Sequence, residues 1–385
     1  MKKTLQLLAG FWLVLWGVAN AETGSGTGVG WGALNLPAGV TPDSHDIHDL
    51  HMTILWICVG IGILVYGILV YSLIHHRKSK GVVPATFHEN TKLEIVWTII
   101  PFLILIAMAI PATKVMIKVY DTSASDMTIK VTGYQWKWRY EYLTEGEGKG
   151  IDFFSSLDAK SNEARQLGSK IDPATVEHYL LNVDKPLVIP ANKKIRILLT
   201  AADVLHAWWV PEFGWKKDAI PGFITDGWIK VETPGVYRGQ CAELCGRDHG
   251  FMPIVVIVKT EDEYKQWVAA EKAKQDAVKA DASKQLSVDE LVAKGKEVYA
   301  SNCAACHGLE GEGVPSVFPA IKGSKVALGP LADHVKLVLH GKAAMPAFKE
   351  HLSDVEAAAV VTYQRNGFGN NKGDSIQPAD IQAYK

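Results

Sequence analysis

Two long apolar segments constrain this chain more than any other feature of its sequence. Residues 54–74 form the first, and residues 95–117 form the second, which Pro101 and Pro111 interrupt along with a few polar residues. Each segment is long enough to cross a bilayer as a helix, and a neighbouring helix can cover the backbone groups that a proline frees. The sequence therefore predicts a two-helix membrane hairpin over residues 49–120.

The loop between the two segments indicates their orientation. Residues 75–80 are rich in Lys, Arg and His, and short cytoplasmic loops carry an excess of positive charge. Lys114 and Lys118 at the far end of the second segment are a mild counter-indication. We expect the loop to be cytoplasmic and the rest of the chain to lie on the outer side, which in a bacterial inner membrane is the periplasm.

The N-terminus has the pattern of a secretory signal peptide. Two lysines precede an apolar run over residues 5–18, and small residues follow at the two positions that favour cleavage after Ala21. The alternative is a third membrane span, for which the apolar run is short. We predict a signal peptide over residues 1–21 and a Gly-rich, flexible N-terminal segment over residues 22–48.

Strand-like patterns dominate the region after the hairpin. Alternating or continuously apolar stretches occur at residues 127–131, 195–199, 228–231 and 253–258. Short strands at this density favour a β-sandwich or Greek-key domain, predicted here over residues 121–260. An inserted stretch, residues 146–178, interrupts the pattern, and the sequence gives it no role. Residues 261–285 are rich in Ala, Lys, Asp and Glu, which is typical of a helical or semi-rigid linker.

The C-terminal region changes to a helical pattern. Ser287 with Glu290 and Ser353 with Glu356 have the spacing of capping boxes, each in front of a run of good helix formers. The sequence therefore predicts an all-α domain over residues 286–385.

Charge and cysteine content exclude some classes of function. The formal net charge of −1 gives no indication of a nucleic-acid partner, since phosphate binding needs a basic surface. The chain has five cysteines. Cys58 lies in the first apolar segment as a bystander. The other four form two close pairs, each with a histidine downstream, which favours metal or cofactor binding over a disulfide framework.

The first cysteine pair belongs to a cluster of soft ligands. Cys241, Cys245, His249 and Met252 lie within twelve residues, and His206 is a second candidate imidazole upstream. Thiolate, imidazole and thioether together favour copper. Zinc would accept the Cys and His residues but not the thioether, and a disulfide would leave the other ligands unexplained. Two thiolates can bridge two ions, so the pattern predicts a dinuclear copper centre.

The second pair forms the motif Cys303-x-x-Cys306-His307, which is the pattern of covalent haem c attachment. The thiols bind the haem edge and the adjacent histidine reaches the iron. We predict Met345 as the second axial ligand, since His/Met ligation raises the reduction potential and suits a donor to copper. The alternatives are His340 and His351.

Several segments resemble one known family. Residues 239–253 are similar to the dinuclear copper loop of cytochrome c oxidase subunit II, and residues 203–208, 217–222 and 133–142 resemble its other motifs. The resemblance covers roughly residues 40–260 and implies a cupredoxin-like fold.

The C-terminal domain has a resemblance of its own. It is similar to a small class I cytochrome c, in which Gly295 and Tyr363 match the crossing of the first and last helices.

The resemblance to subunit II implies roles for individual residues. It implies copper ligation by the side chains of His206, Cys241, Cys245, His249 and Met252. It also implies that Glu243 binds copper through its backbone carbonyl, while its carboxylate faces a magnesium or manganese ion shared with subunit I. The alternative for Glu243 is a solvated surface acid.

Two further residues take roles from the resemblance. Trp136 matches the tryptophan where electrons enter, although a strand tryptophan often only packs. Glu94 matches a glutamate at the cytoplasmic mouth of a proton path into subunit I; an interfacial carboxylate is the alternative.

The resemblance implies a multi-domain respiratory subunit made of a transmembrane hairpin, a cupredoxin-like domain and a cytochrome c domain. Electrons from cytochrome c or another periplasmic donor would pass through haem c and the copper pair to subunit I, which reduces oxygen with proton pumping. Subunit III and the lipid bilayer are further partners. A quinol-oxidase subunit, a copper-delivery protein and a periplasmic reductase with a dinuclear copper domain are the competing classes.

Overall fold

The computed structural model describes residues 35–144, 148–166, 168–282, 285–343, 345–349 and 352–385. The predicted signal peptide, residues 1–21, lies outside these residues, as does most of the predicted flexible segment. The described chain forms a helical hairpin, a β-domain and a C-terminal helical domain. The predicted fold class is therefore confirmed.

The hairpin consists of helix α1, Pro42–His75, and helix α2, Thr91–Tyr120. Helix α1 begins inside the segment predicted to be flexible, so the boundary predicted at residue 48 is corrected to residue 41. The reason is a local cap. The Thr41 hydroxyl accepts a hydrogen bond from the Ser44 amide at 3.0 Å, and the Ser44 hydroxyl accepts one from the Thr41 amide. Hydropathy does not register such a cap.

Both helices are long and apolar enough to cross a bilayer, with a mean hydropathy of 2.5 in their most apolar stretch. Their large apolar side chains are exposed, and an apolar surface of this extent needs lipid or another subunit to cover it. Lys118 near the end of α2 forms an ion pair with Asp46 in α1. This pair compensates the charge of one of the two lysines that count against the predicted orientation.

The β-domain is built from short strands. In chain order they are β1 Met127–Tyr134, β2 Lys137–Tyr142, β3 Asp152–Ser155, β4 Leu187–Pro190, β5 Ile195–Ala201, β6 His206–Trp209, β7 Lys216–Ala219, β8 Thr225–Ile229, β9 Gly235–Cys241 and β10 Pro253–Lys259.

These strands form two five-stranded sheets, in the orders β3-β2-β1-β5-β8 and β4-β10-β9-β6-β7. β1 with β5 and β4 with β10 are parallel pairs, and the other neighbours are antiparallel. The inward side chains of both sheets meet in one apolar core, in which Trp138 and Trp208 are fully buried. Burial of such rings supplies much of the driving force for folding.

The inserted segment is folded onto this domain. It contributes β3, which extends the first sheet beside β2, and a short helix α3, Ala159–Ala164. The Asp158 carboxylate accepts from the Ser161 amide and caps α3, and Ser161 and Ala164 face inward.

Helix α4, Glu261–Ala282, follows the last strand and occupies the predicted linker. Its first turns pack on the β-domain, because Tyr264 and Val268 are buried in the core of that domain.

The C-terminal domain contains α5 Val288–Asn302, α6 Ala304–His307, α7 Leu331–His340, α8 Asp354–Asn366 and α9 Pro378–Ile381. Both predicted capping boxes form, at Ser287 with Glu290 and at Ser353 with Glu356. Single 3-10 turns occur at Lys78–Lys80, Pro173–Thr175, Pro211–Phe213, His249–Phe251 and Gln382–Tyr384.

Helices α5 and α8 cross at a glycine. A Cβ atom placed on Gly295 would lie 2.1 Å from the carbonyl oxygen of Ala359 and 2.6 Å from the Cβ atom of Tyr363. The backbones therefore approach more closely than any side chain at this position would allow. This contact is the one that the family resemblance implied for Gly295 and Tyr363.

Replacing Gly295 with valine is expected to force α5 and α8 apart. Overpacking of this kind costs about 1–3 kcal/mol and outweighs the small gain in helix propensity. Amide hydrogen exchange in α8 should accelerate by roughly tenfold or more, measured by mass spectrometry on the detergent-solubilised chain.

The matched control is Lys296→Ala, at an exposed position on the same helix, which should leave the exchange unchanged. Equal exchange in Gly295→Val and the unaltered chain would contradict the close crossing.

Candidate functional site

Three neighbouring strands of the second sheet bring the predicted soft ligands to one end of the β-domain. His206 begins β6, Cys241 ends β9 and Met252 immediately precedes β10. β9 pairs with both β6 and β10, so these positions are adjacent in space. Cys245 and His249 lie in the connection from β9 to β10, which we call the copper loop (residues 241–252).

Short distances link the ligand atoms of this cluster. The sulfur of Cys241 lies 3.9 Å from Nδ1 of His206 and 3.9 Å from the sulfur of Cys245. The sulfur of Cys245 lies 3.5 Å from Nδ1 of His249 and 3.5 Å from Sδ of Met252. Both cysteines are free thiols. Each sulfur thus has the other sulfur and one imidazole as neighbours.

The surroundings of the cluster favour metal binding. His206, Cys241, Cys245 and Met252 are all buried. Hydrogen bonds from the thiol of Cys245 and from the His206 imidazole lower the pKa of Cys241. The thiolate is the form of cysteine that binds a metal.

Asp203 orients the first imidazole. Its Oδ1 lies 2.9 Å from Nε2 of His206, on the side of the ring away from Cys241. A carboxylate on one ring nitrogen fixes the tautomer and leaves the other nitrogen as an acceptor for a metal. Sequence reasoning did not assign this role, because an acid three residues before a histidine is a weak pattern.

Strands β1 and β2 position the same ring. A Cβ atom on Gly133 would lie 2.8 Å from Cδ2 of His206, so only glycine lets the strand approach the imidazole. The indole of Trp138 lies edge-on to this ring, with centroids 5.9 Å apart, and donates to the carbonyl of Met252 at 3.3 Å.

The predicted tryptophan lies against the copper loop. Trp136, in the turn between β1 and β2, donates from Nε1 to the carbonyl oxygen of Cys245 at 3.2 Å. Gln135 donates to the same oxygen at 2.9 Å. Trp136 is half-buried, with part of its ring accessible from outside.

The two predicted glutamates differ in their distance from this cluster. Glu243 has its backbone carbonyl oxygen 3.4 Å from the sulfur of Cys241, and its side chain is half-exposed. Glu94 is exposed in the first turn of α2, at the opposite end of that helix from the β-domain.

The second candidate site lies at the end of helix α5. Cys303 follows α5, and Cys306 and His307 lie in α6. Both cysteines are free. Nδ1 of His307 lies 2.8 Å from the carbonyl oxygen of Pro319, which leaves Nε2 of the ring as the available ligand atom. Met345 is half-buried and packs against the core of the domain.

The alternatives to Met345 differ in their surroundings. His340 is exposed, and its Nε2 lies 2.8 Å from the carbonyl oxygen of Tyr384 at the C-terminus. His351 lies outside the described residues. A pair that sequence reasoning missed is buried beside the attachment site: Gln364 donates to the sulfur of Cys303 at 3.8 Å and contacts His334 at 2.8 Å. Burial lowers the pKa of His334 to about 4, so this imidazole is neutral.

The residues of both candidate sites fit the cofactors that their chemistry suggests. The first offers only soft sulfur and imidazole donors with a buried, preformed geometry, which suits copper. The second offers two free thiols one helical turn apart, an oriented imidazole and a thioether, which suits covalent haem.

Three sequence-family descriptions match the chain. Residues 127–260 match "Cytochrome C oxidase subunit II, periplasmic domain", and residues 29–115 match the transmembrane domain of the same subunit. Residues 290–363 match "Cytochrome C oxidase, cbb3-type, subunit III". The first match implies a copper centre and the third implies haem.

Individual relatives agree with these matches. A protein of Rickettsia bellii named "Probable cytochrome c oxidase subunit 2" is 38% identical over 230 residues, which is 60% of this chain and 81% of the relative. Cytochrome c oxidase subunit 2 of Cereibacter sphaeroides is 36% identical over 62% of this chain and 80% of its own length.

A solved structure is also similar. The periplasmic domain of cytochrome oxidase subunit II of Bradyrhizobium japonicum is 40% identical, with a TM-score of 0.34, over 40% of this chain and 98% of that one. On its matching domains and its relatives, this chain belongs to the cytochrome c oxidase subunit II family, as a membrane component of the oxidase with a cytochrome c-type domain joined after its cupredoxin-like domain.

Proposed function

We propose that this chain relays electrons from a periplasmic donor, through one covalent haem c and a pair of copper ions, to subunit I of a bacterial oxidase. The observation that carries the proposal is the paired arrangement of the copper loop. Two sulfurs lie 3.9 Å apart, and each has its own imidazole. A single blue-copper ion needs only one cysteine, and a zinc ion held by two Cys and two His would leave the thioether of Met252 without a role.

The residues of the copper loop hold two ions and limit their movement. Cys241 and Cys245 would supply thiolate ligands, His206 and His249 imidazole ligands, and Met252 a weak thioether ligand. The carbonyl of Glu243 supplies the remaining ligand. When bound, the copper pair takes up and releases single electrons. His206, Cys241 and Met252 are buried at or next to the ends of paired strands, so these ligands would change position little when the charge changes.

The residues around the second site hold haem c. Cys303 and Cys306 would hold it through thioether bonds, and the carbonyl of Pro319 orients His307 so that Nε2 would be free to bind iron. Met345 would supply a thioether ligand to the iron, and such a ligand raises the reduction potential. This potential suits donation towards copper. In the described part of the chain, the exposed His340 is already bound to the C-terminal turn.

The remaining roles follow from the oxidase to which subunits of this family belong. Subunit I reduces oxygen to water with proton pumping, and Glu94 stands at the mouth of a proton path into it. Trp136 is a point where electrons enter the copper loop. The carboxylate of Glu243 binds magnesium or manganese at the boundary with subunit I. Subunit III completes the complex.

The proposed relay also requires one particular membrane topology. After removal of residues 1–21, the hairpin spans the bacterial inner membrane with residues 75–80 in the cytoplasm. The copper domain, residues 121–260, and the cytochrome domain, residues 286–385, then lie in the periplasm and are joined through residues 261–285. Cytochrome c or a similar periplasmic protein is the external donor.

Metal and haem analysis of the purified chain is expected to give two copper atoms for each covalent haem. Cys245→Ser should lose at least one copper, because one bridging thiolate is replaced by a hydroxyl, which is a poor ligand for a soft metal. Copper is measured by mass spectrometry and haem by its absorbance.

The control for this variant is Cys58→Ser, which changes a cysteine in the membrane helix α1 and should retain both coppers. One copper per haem, or zinc in place of copper, in the unaltered chain would refute the dinuclear centre.

Asp203→Asn is expected to weaken copper binding by roughly 10–100-fold, as loss of an outer carboxylate on a ligating histidine typically does. Asparagine has nearly the same size as aspartate but lacks its negative charge, so it holds the tautomer of His206 less firmly. Copper affinity is measured by competition with a chelator. Asp172→Asn, at the cap of the turn Pro173–Thr175, is the matched control, and equal affinity in both variants would exclude an orienting role.

Met345→Leu is expected to remove the second axial ligand and lower the reduction potential of the haem, because the thioether favours the reduced iron. The potential is measured by spectroelectrochemical titration of the purified complex. His340→Gln serves as the control and should leave the potential unchanged. An unchanged potential in Met345→Leu would assign the ligand to another residue, with His351 the next to be replaced.

A further inference from the structure

The inserted segment, residues 146–178, takes no part in the relay described above, yet it connects the two soluble domains. Asn162 in α3 donates from Nδ2 to the carbonyl oxygen of Ala300 at 3.1 Å, in the last turn of α5. Arg165 donates from Nε to Oδ1 of Asn162 at 2.8 Å, and from Nη2 to Oδ2 of Asp248 at 3.1 Å. One line of hydrogen bonds therefore runs from the cytochrome domain to the copper loop.

The copper-loop end of this line is buried and rigid. The side chains of Arg165 and Asp248 are only 11% and 5% exposed, and the guanidinium of Arg165 lies over the ring of Phe251, 4.3 Å from its centroid. A buried, hydrogen-bonded ion pair stacked on an aromatic ring has one preferred geometry. The inserted segment is thus fixed to the residue that precedes His249.

A second contact joins the copper loop directly to the haem attachment motif. Arg247 donates from Nη2 to the carbonyl oxygen of Ala305 at 2.8 Å. Ala305 lies between Cys303 and Cys306. The same guanidinium lies over the ring of Phe318, 5.0 Å from its centroid. Arg247 is two residues from Cys245, so a short covalent path and one hydrogen bond connect the two sites.

A third contact closes the interface around a lysine. Nζ of Lys137 donates to Oδ1 of Asn302 at 3.2 Å. It also lies 4.8 Å from the ring centroid of Phe154, in the inserted segment, and 5.6 Å from that of Phe348, in the cytochrome domain. Lys137 is 7% exposed, and burial lowers its pKa to about 8. Water is therefore excluded from this part of the interface.

We infer that the inserted segment, together with Arg247 and Lys137, is a docking surface for the chain's own cytochrome domain and holds the haem attachment motif against the copper loop. The occupant of this surface is the domain of the same chain that follows α4. Its side of the interface includes the carbonyl groups of Ala300 and Ala305, the side chain of Asn302 and the rings of Phe318 and Phe348. When the proposed haem and copper are bound, docking would hold them at a fixed distance from each other. Without docking, this distance would vary as the tethered cytochrome domain moves.

The burial of Lys137 gives a test that does not depend on activity. In the purified, copper- and haem-loaded complex, all lysines are acetylated for increasing times and quantified by mass spectrometry. Lys137 is expected to react roughly tenfold or more slowly than Lys185, which is exposed on the same domain, because docking covers its amino group. Equal rates for the two lysines in the unaltered complex would overturn the inference.

A double variant tests which contacts hold the domains together. Asn162→Ala with Arg247→Gln removes one neutral and one charged hydrogen bond across the interface, which should shift the docking equilibrium by at least about tenfold. Lys137 should then react within roughly twofold of Lys185. Lys160→Ala changes an exposed residue of the same helix α3 and should leave Lys137 protected. A protected Lys137 in the double variant would also overturn the inference.

Failure of the docking inference and failure of the proposed relay give different results. Copper and haem are quantified on the same samples, so a missing copper or haem with Lys137 still protected contradicts the relay alone. Two coppers and one haem with a reactive Lys137 contradict the docking surface alone.

Discussion

The register between β6, β9 and β10 is the constraint on which the rest of this structure depends. Successive side chains of a strand point to opposite faces, so a shift of one residue in β9 would turn Cys241 away from His206. The register is fixed by the apolar core, because the inward residues of β9 and β10 are buried between the sheets. The free energy of burial that folds the domain therefore also assembles its ligand cluster.

The β-domain is fixed to the membrane hairpin at several points. The hydroxyl of Thr41 donates to the carbonyl oxygen of Phe213 at 3.0 Å, just before α1. The indole of Trp228 donates to the carbonyl oxygen of Lys118 at 3.2 Å, near the end of α2. Both ends of the hairpin are therefore held by the domain that carries the copper loop. An electron-transfer site needs this, since its distance from acceptors in a membrane partner must stay constant.

The copper loop has contacts with every neighbouring element, and each contact restricts a different part of it. Trp136 and Gln135 hold the carbonyl of Cys245, Trp138 holds that of Met252, and Asp203 orients His206. Preorganisation of this kind lowers the rearrangement that accompanies a change of charge. The inserted segment adds hydrogen bonds from Asp248 through Arg165 and Asn162 to Ala300, and Arg247 adds one to Ala305, so the copper loop is also connected to the C-terminal domain.

The sequence by itself determined those features that depend on neighbouring residues in the chain. The two membrane helices, both capping boxes of the C-terminal domain, the Cys303-x-x-Cys306-His307 motif and the soft-ligand pattern of the copper loop are all local. Strand-like patterns predicted the β-domain, and the family resemblance implied its cupredoxin-like fold. Sequence reasoning placed the start of α1 too late, because the cap at Thr41 acts through one side chain and leaves hydropathy unchanged.

Only the tertiary structure decided which further residues support these sites. Asp203, Gly133 and Arg165 are ordinary residues in the sequence, and their meaning comes from the strand pairings and helix positions that bring them to His206 and Asp248. The sequence of the inserted segment gave no interpretable pattern for the same reason. Asn162 in this segment contacts Ala300, which lies 138 positions further along the chain. Contacts over such separations are set by packing of the whole core, which no local pattern of residues records.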